Sequence, residues 1–463
     1  MRHKLQFRTL IALLAVASVL PACGGGGGGG GGGSSVTTIL VSSSGAVTPV
    51  PGNGDSDQPS VSADGRFVAF RSVSTNLVAP PTTAARSHIY KKDLQTGAIQ
   101  LISAAGAAEG SGNSSNPAIS SDGRFIAYTS FSTNLVAGVT ITGAGAISNV
   151  YLCDTLPVTP TTTLLSFTAA DGTVSGGANS GNPSIAVTAG PIAHVAYESA
   201  AQDIVVATYT ASPTNIFCKR TGGSNELVSV STTAGTAGNG SSVNASISAD
   251  GQRIAFDSTA TNLIAGDTNG QTDVFVRDFI PVTDTTTRVS VLNAGGEITG
   301  GGSFAPNISG DGLSVVFLTQ GTNVDVADVT PNDIYMRVNW AAGASTVQIS
   351  EHPTTTGTGN SCQSPATNTD GSIIVWNSAS FELVNGDANQ DRDVFRRNRN
   401  TNVLDRVSLT AAGGESGTGV PANATATLTR PATSSTGAFV VFDSNQTDLI
   451  TPATTVRHVF RRG

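Results

Sequence analysis

The chain of 463 residues is 38% hydrophobic, only 12% charged and 5% aromatic, and its formal net charge is −8. An acidic chain of this kind lacks the positive footprint that nucleic-acid binding needs. With two tryptophans and so few aromatic residues it also has little material for a sugar-stacking platform.

Met1 to Cys23 reads as an export signal: a basic start (Arg2, Lys4, Arg8), an apolar stretch from Leu10 to Leu20, then Leu20-Pro21-Ala22-Cys23. The apolar stretch is too short for a bilayer span, so residues 1–22 are read as a cleaved signal peptide. The residues before Cys23 resemble the lipobox of bacterial lipoproteins, which implies that the Cys23 thiol carries a diacylglycerol. Ten glycines, Gly24 to Gly33, follow. They make residues 23–36 a lipidated cysteine and a flexible tether spanning roughly 17 Å. No Asp follows Cys23, and by resemblance to the lipoprotein sorting rule this favours the outer membrane. Without residues 1–22 the chain has 21 Lys+Arg against 32 Asp+Glu, a formal charge of −11. The acyl chains are then the expected membrane anchor, because no later apolar run is long enough to span.

From Pro59 onward one pattern recurs seven times. Its anchors are Pro59-Ser-Val-Ser-Ala-Asp64-Gly65, Pro117-Ala-Ile-Ser-Ser-Asp122-Gly123, a degenerate copy at Pro183, Ala245-Ser-Ile-Ser-Ala-Asp250-Gly251, Pro306-Asn-Ile-Ser-Gly-Asp311-Gly312, Pro365-Ala-Thr-Asn-Thr-Asp370-Gly371 and Pro431-Ala-Thr-Ser-Ser-Thr-Gly437. Successive anchors lie 58 to 66 residues apart. Such a period means an array whose units bury their faces against one another. The fourth copy shows four short runs rich in Val, Ile, Phe and Thr: Ala245-Ser-Ile-Ser, Arg253-Ile-Ala-Phe256-Asp-Ser, Asp273-Val-Phe-Val-Arg277-Asp278 and Thr287-Arg-Val-Ser-Val291. Turn residues bound each run, so they read as antiparallel strands, and no segment has a helical period. Four-stranded units in seven copies predict an all-β, seven-bladed propeller over 37–463. The last copy stops at its third strand, Val459-Phe460-Arg461-Arg462-Gly463. Thr38-Ile39-Leu40-Val41-Ser42 matches the missing fourth and is expected to close the ring, hiding two sheet edges.

These anchors resemble the TolB-like, WD40-like β-propeller repeat: a proline, a short strand, Ser-Pro-Asp-Gly, then Ile-Ala-Phe and later Ile-Tyr before an acid. This chain has Val or Ile where that family often has Trp, and Ala, Ser or Gly for the turn proline. The N-terminal domain of TolB proper is missing and the blade count differs from that protein's, so the resemblance is taken for the propeller fold and a role in the Tol envelope machinery is not carried over.

Loops between strands two and three, and from strand four to the next blade, are long and rich in Gly, Ser, Thr and Asn, as in 104–116 and 232–244. In a propeller both sets emerge on one face, where function concentrates; the plain alternative is tolerant linkers. Two of these loops, Gly266-Asp267-Thr-Asn269-Gly-Gln-Thr-Asp273 and Gly386-Asp387-Ala-Asn389-Gln-Asp391-Arg-Asp393, alternate oxygen side chains as calcium loops do. Calcium is the one cofactor the sequence suggests, on Asp267, Asn269, Asp273, Asp387, Asn389, Asp391 and Asp393. Ordinary turn chemistry is the other reading, since neither loop has the later acid of better-known calcium loops. A weaker copy runs from Asp328 to Asp333.

The residue entering the third strand is polar in every copy: His88, Asn149, Asn215, Asp273, Asp333, Asp393 and His458. Later in the strand come Lys92, Cys153, Lys219, Arg277, Arg337, Arg397 and Arg462. Repeated polar positions are expected to be structural, as blade-to-blade bonds or pairs with the hairpin aspartate; the functional alternative is two rings facing a partner. Cys153, Cys218 and Cys362 are read as buried apolar side chains rather than a disulfide framework. No catalytic residue is assigned. The expectation is a monomeric, non-enzymatic outer-membrane lipoprotein, periplasmic or surface-facing, that binds an envelope or extracellular protein. It touches the membrane only through its lipid and binds no nucleic acid. A channel-sited lyase or hydrolase acting on an oligosaccharide or polymer is the first alternative, favoured if Asp267, Asp325 and Asp387 gather at one cavity. A calcium-stiffened structural surface protein is the second.

Overall fold

The computed structural model describes residues 37–463 except 84–85, 158, 191, 208, 210–213, 234, 280–283, 325–331, 352–360, 388–390, 415, 417–429, 447 and 452–455. The signal peptide, Cys23 and the glycine tether lie outside the described residues, as do Asp325, Asp328 and Asn389.

Seven four-stranded antiparallel sheets form the blades of a propeller. Blade 4 is typical: Ser242–Ile247, Arg253–Ser258, Asp273–Asp278 and Thr285–Arg288 pair in chain order. Its fourth strand ends before the predicted Val-Ser-Val, because Ser290 turns back to receive the Val274 N–H at 2.9 Å. Blade 3 departs from the pattern, with a longer first hairpin, Ser180–Thr188 against Ile192–Ser199, in place of the Asp-Gly turn. The ring closes as expected: Thr38–Leu40 pairs antiparallel with Arg462, Arg461 and Phe460 of blade 7.

Alternation along strands two and three places an aromatic pair at the centre of each sheet. Phe70–Tyr90, Tyr128–Tyr151, Tyr197–Phe217, Phe256–Phe275, Trp376–Phe395 and Phe442–Phe460 have ring centroids 5.8–6.0 Å apart, and Phe317 faces Tyr335 in blade 5. The core lies between blades rather than within them. Val274, Val276 and Val289 of blade 4, for example, pack with Ile308, Val315 and Phe317 of blade 5. Burying each such side chain contributes about 1.5–3 kcal/mol, which no blade could obtain alone.

The Asp-Gly turns are built from side chains. Ser62 Oγ donates to Asp64 at 2.6 Å and accepts the Phe67 N–H at 2.9 Å; Ser120, Ser248 and Ser309 repeat this. Gly65 and Gly123 have φ near +72°, and a Cβ on either would sit 2.2 Å from the Phe439 or Phe67 ring of the preceding blade. Neighbouring turns are joined by backbone bonds, Ala63 N–H to Ser121, Ala249 to Gly310, Asp311 to Thr369, Thr369 to Ser435 and Ser435 to Ala63. They tighten that end of the central channel to a cavity of about 220 Å³.

At the opposite face the two long-loop sets are tied together. Asn76, Asn134, Asn262 and Asn323 from second loops each accept a backbone N–H from the incoming loop, at 2.8–3.0 Å. Leu77, Leu135 and Leu263 beside them are buried. The loops share one face and are pinned there, which ordinary drifting linkers would not be.

Candidate functional site at the channel mouth

Six of the first strands, those of blades 1 to 6, carry a bulge just before the anchor, seen as a register shift such as Asp57/Ser60 or Val243/Ser246. The residue at its apex is left-handed: Gln58, Asn116, Asn182, Asn244, Ala305 and Ser364 have φ between 49° and 57°. Non-glycine residues hold such a conformation only where surroundings enforce it, at a cost of about 1–3 kcal/mol each. Here the enforcement is visible. The bulge N–H of one blade is captured by its neighbour: Asn116 by Gln58 Oε1 (2.7 Å), Asn182 by Thr129 Oγ1 (3.1 Å), Asn244 by Glu198 Oε1 (2.6 Å) and Ala305 by Asp257 Oδ2 (2.7 Å). The collar so formed opens on the long-loop face as a cavity of about 570 Å³, lined by Gln58, Asn116, Asn182, Asn244, Ser364 and Arg430 among others.

Two adjacent blades bring a carboxyl each to this mouth. Glu198 of blade 3 also accepts the Asn182 amide at 2.6 Å, and Asp257 of blade 4 accepts the Asn244 amide at 2.9 Å. Burial raises both carboxyls above their usual range, Asp257 to about 6, while hydrogen bonds and Arg430 oppose the shift. Arg430 holds the equivalent sequence position in blade 7, directly before Pro431, and reaches across the ring to donate to Asn244 Oδ1 at 2.5 Å. Its side chain is exposed to the channel solvent although protein surrounds it. Burial pulls its pKa down and the two carboxylates pull it back. Deeper in the channel, Ser60, Ser184, Ser246 and Asn307 accept N–H groups of the next blade and offer no further charge. The arrangement provides hydrogen-bond acceptors and two carboxyls raised by burial, Asp257 to about 6, in a funnel open at one end.

The residues singled out in the sequence lie elsewhere. Asp267, Asp273 and Asn269 meet in blade 4, where Arg288 Nη1 stands 3.2 Å from Asp267, 3.3 Å from Asp273 and 2.7 Å from Glu297. Asn269 donates to Asp273 at 2.9 Å. Burial raises the pKa of Asp267 and Asp273, whereas Glu297, taking an N–H of Thr268 and the guanidinium, is held at about 2. In blade 6 Arg406 stands 2.8 Å from Asp387 and 3.5 Å from Asp393; Asp391 has its pKa raised by burial. Asp267 and Asp387 thus serve separate blades, each with its own arginine. Among the described residues no group of three or more His, Cys, Asp or Glu side chains is disposed to hold a metal. Sequence reading overlooked Arg288 and Arg406, yet the signal exists: only the two repeats with a Gly-Asp-x-Asn loop have arginine before the fourth strand's Val-Ser.

The polar strand-three residues are buried, and their partner is the strand-four serine of the same blade. Ser166 donates to Asn149 (3.1 Å), Ser229 to Asn215 (3.0 Å), Ser290 to Asp273 (2.6 Å), Ser350 to Asp333 (2.9 Å) and Ser408 to Asp393. Ser103 pairs with His88 at 3.3 Å, and Ser42 of the closing strand with His458 at 2.8 Å. The blade-to-blade bonds come from the basic positions instead. Lys92, Arg337, Arg397 and Arg462 donate to carbonyls of the preceding blade's fourth-strand segment. Both rings are therefore structural. Cys153, Cys218 and Cys362 are buried thiols, pushed up to about 11, 12 and 12 by burial.

No family model and no curated protein matches this chain. Among solved structures it is similar to an oligogalacturonate lyase in complex with manganese, at 11% identity and TM-score 0.50 over 92% of this chain and 96% of that one. It is also similar to the β-propeller domain of the Trilobed protease from Pyrococcus furiosus, at 12% identity and TM-score 0.48 over 89% and 94%. TolB from Acinetobacter baumannii matches at 14% identity and TM-score 0.38 over 86% and 80%. At these identities the likeness is one of fold.

Proposed function

We propose that this chain is an exported, lipid-anchored envelope protein whose propeller binds another protein through its long-loop face. Its most telling feature is the asymmetry of the channel: a pinned, hydrogen-bonding collar of about 570 Å³ on one face against about 220 Å³ on the other. Phe131 and Phe381, exposed just after the second strands of blades 2 and 6 and so on the same long-loop face, add apolar contact area. Acylation at Cys23 and residence in the outer membrane follow from the lipobox resemblance and belong to the same reading, as does a monomeric state. Capture from envelope extract with the full chain as bait tests it. A partner recovered by wild type and lost on substituting Phe131 and Phe381 by Asp supports the reading, and equal recovery by both counts against it.

A channel-sited enzyme is the second reading, favoured by one observation: Glu198 and Asp257 are adjacent-blade carboxyls raised by burial, as catalytic acids and bases often are. Cleavage of an oligosaccharide by wild type that E198Q and D257N both abolish would establish it.

A further inference from the structure

The collar has near-sevenfold symmetry, and Arg430 breaks it. Six apex positions carry the short or neutral side chains Gln58, Asn116, Asn182, Asn244, Ala305 and Ser364, while the seventh carries a guanidinium. That guanidinium leaves its own blade and bonds Asn244 on the far side of the ring, beside Glu198 and Asp257. Asn244 is the hub there. Its N–H goes to Glu198, its amide nitrogen to Asp257 and its amide oxygen to Arg430. Two carboxylates and one guanidinium leave this side of the mouth with an excess of one negative charge when all are ionised. The strand-two position of blade 6 equivalent to Glu198 and Asp257 is Asn377, which is fully buried; its Nδ2 has no hydrogen-bond partner among the described residues. One donor of the collar is thus left without an acceptor. The cavity around Arg430 is open to solvent, so the guanidinium can leave without moving the scaffold.

We infer that the channel mouth is a binding site for a guanidinium-bearing ligand, and that Arg430 is an internal occupant which such a ligand displaces. This rests on the reading that the long-loop face is the binding face, and it names the chemistry recognised there. Arg430 bonds Asn244 Oδ1 through one nitrogen while the carboxylates of two neighbouring blades attract its charge; the planar fork of a guanidinium has further donors to offer such a site, where an ammonium would serve as a point charge only. An internal competitor lowers apparent affinity by the fraction of sites it blocks, so removing it tightens binding.

The experiment is calorimetric titration of the full chain with agmatine, a free small guanidine, and with N-acetyl-arginine amide, which mimics an arginine displayed by a partner. Putrescine serves as the ammonium control. The inference expects R430A to bind one or both guanidines at least tenfold more tightly than wild type, with R430A/D257N losing the gain and putrescine showing none. Preference for agmatine would assign the site to a free small molecule, and preference for the amide to a partner's arginine; either supports the inference. R430K, which keeps the charge but not the fork, should gain less than R430A and also controls for folding. No gain in R430A, or a gain retained without Asp257, overturns the inference. If a protein partner is still captured through Phe131 and Phe381 in that case, the scaffold reading stands alone.

Discussion

Arg430 Nη2 donates to Asn244 Oδ1 at 2.5 Å although the two residues sit in blades 7 and 4, on opposite sides of the ring. The bond joins the one charged apex of the collar to the one apex whose anchor lacks proline, since Ala245 follows Asn244 where proline follows the others.

Ser290 holds Asp273 Oδ1 at 2.6 Å and the Val274 N–H at 2.9 Å. Ser290→Ala strands a buried carboxylate oxygen and a backbone donor together, and should cost about 1–3 kcal/mol in denaturant unfolding. The equivalent Ser42→Ala loosens the closing strand, so it should also speed the exchange of amide hydrogens in blade 7 ahead of other blades.

In blade 4 one guanidinium serves three carboxylates, with the Arg288 side chain only 8% exposed. Arg288→Met leaves those charges uncompensated and should destabilise the fold by about 3–5 kcal/mol. The calcium proposal adds a sharper expectation. Arg288 is the cation a bound calcium ion would have to coexist with, so millimolar calcium should raise the melting temperature of Arg288→Met more than that of wild type. No rise in either protein, against EDTA, removes calcium from these loops.

Gly123 meets two constraints, φ of +72° and the Phe67 ring 2.2 Å from where a Cβ would lie. Gly123→Ala should therefore lose about 2–4 kcal/mol, from left-handed strain and overpacking against blade 1. Gly97, also at positive φ but with nothing within 4 Å, should lose only the strain component.

Two buried groups give opposite pH dependences. Burial lowers His458 to about 4, so the unfolded chain takes up a proton below 6.5 that the folded one refuses. Its share of stability is present above pH 6.5 and lost toward pH 4, about 3 kcal/mol in all. Asp257 is raised to about 6. Its share is present below the ordinary value near 3.8 and lost as pH rises through 6, again by about 3 kcal/mol. Between pH 4 and 6 these slopes oppose each other. Unfolding profiles should show stability falling with acidification more steeply in Asp257→Asn than in wild type, and less steeply in His458→Gln.

The architecture was legible because it is written in local chemistry. Asp64-Gly65 and its copies encode hairpins, alternation encodes strands, and Thr38–Leu40 has the composition of the strand that blade 7 lacks. The polar residues entering strand three were legible as structural, but their partner, the serine at the end of strand four, was not, because the register between strands decides it. Glu198 and Asp257 were invisible for a further reason. Each becomes distinctive only through the bulge N–H of the next blade, 46 and 48 residues away. Arg430 directly precedes Pro431, and nothing in the sequence says that it crosses the ring to Asn244. The Asp-rich loops drew attention as calcium loops because the arginines that meet them, Arg288 and Arg406, come from another strand.

The central claim is that recognition occurs on the long-loop face. A photo-cross-linking residue placed at Phe381 or at Phe131, on the long-loop face, is compared with one at Leu313 beside the Asp311-Gly312 turn; all three positions are exposed. Irradiation of intact cells expressing the full chain should yield a discrete adduct from Phe381 and Phe131 and none from Leu313. Adducts from Leu313 alone, or from none of the three, would contradict the account.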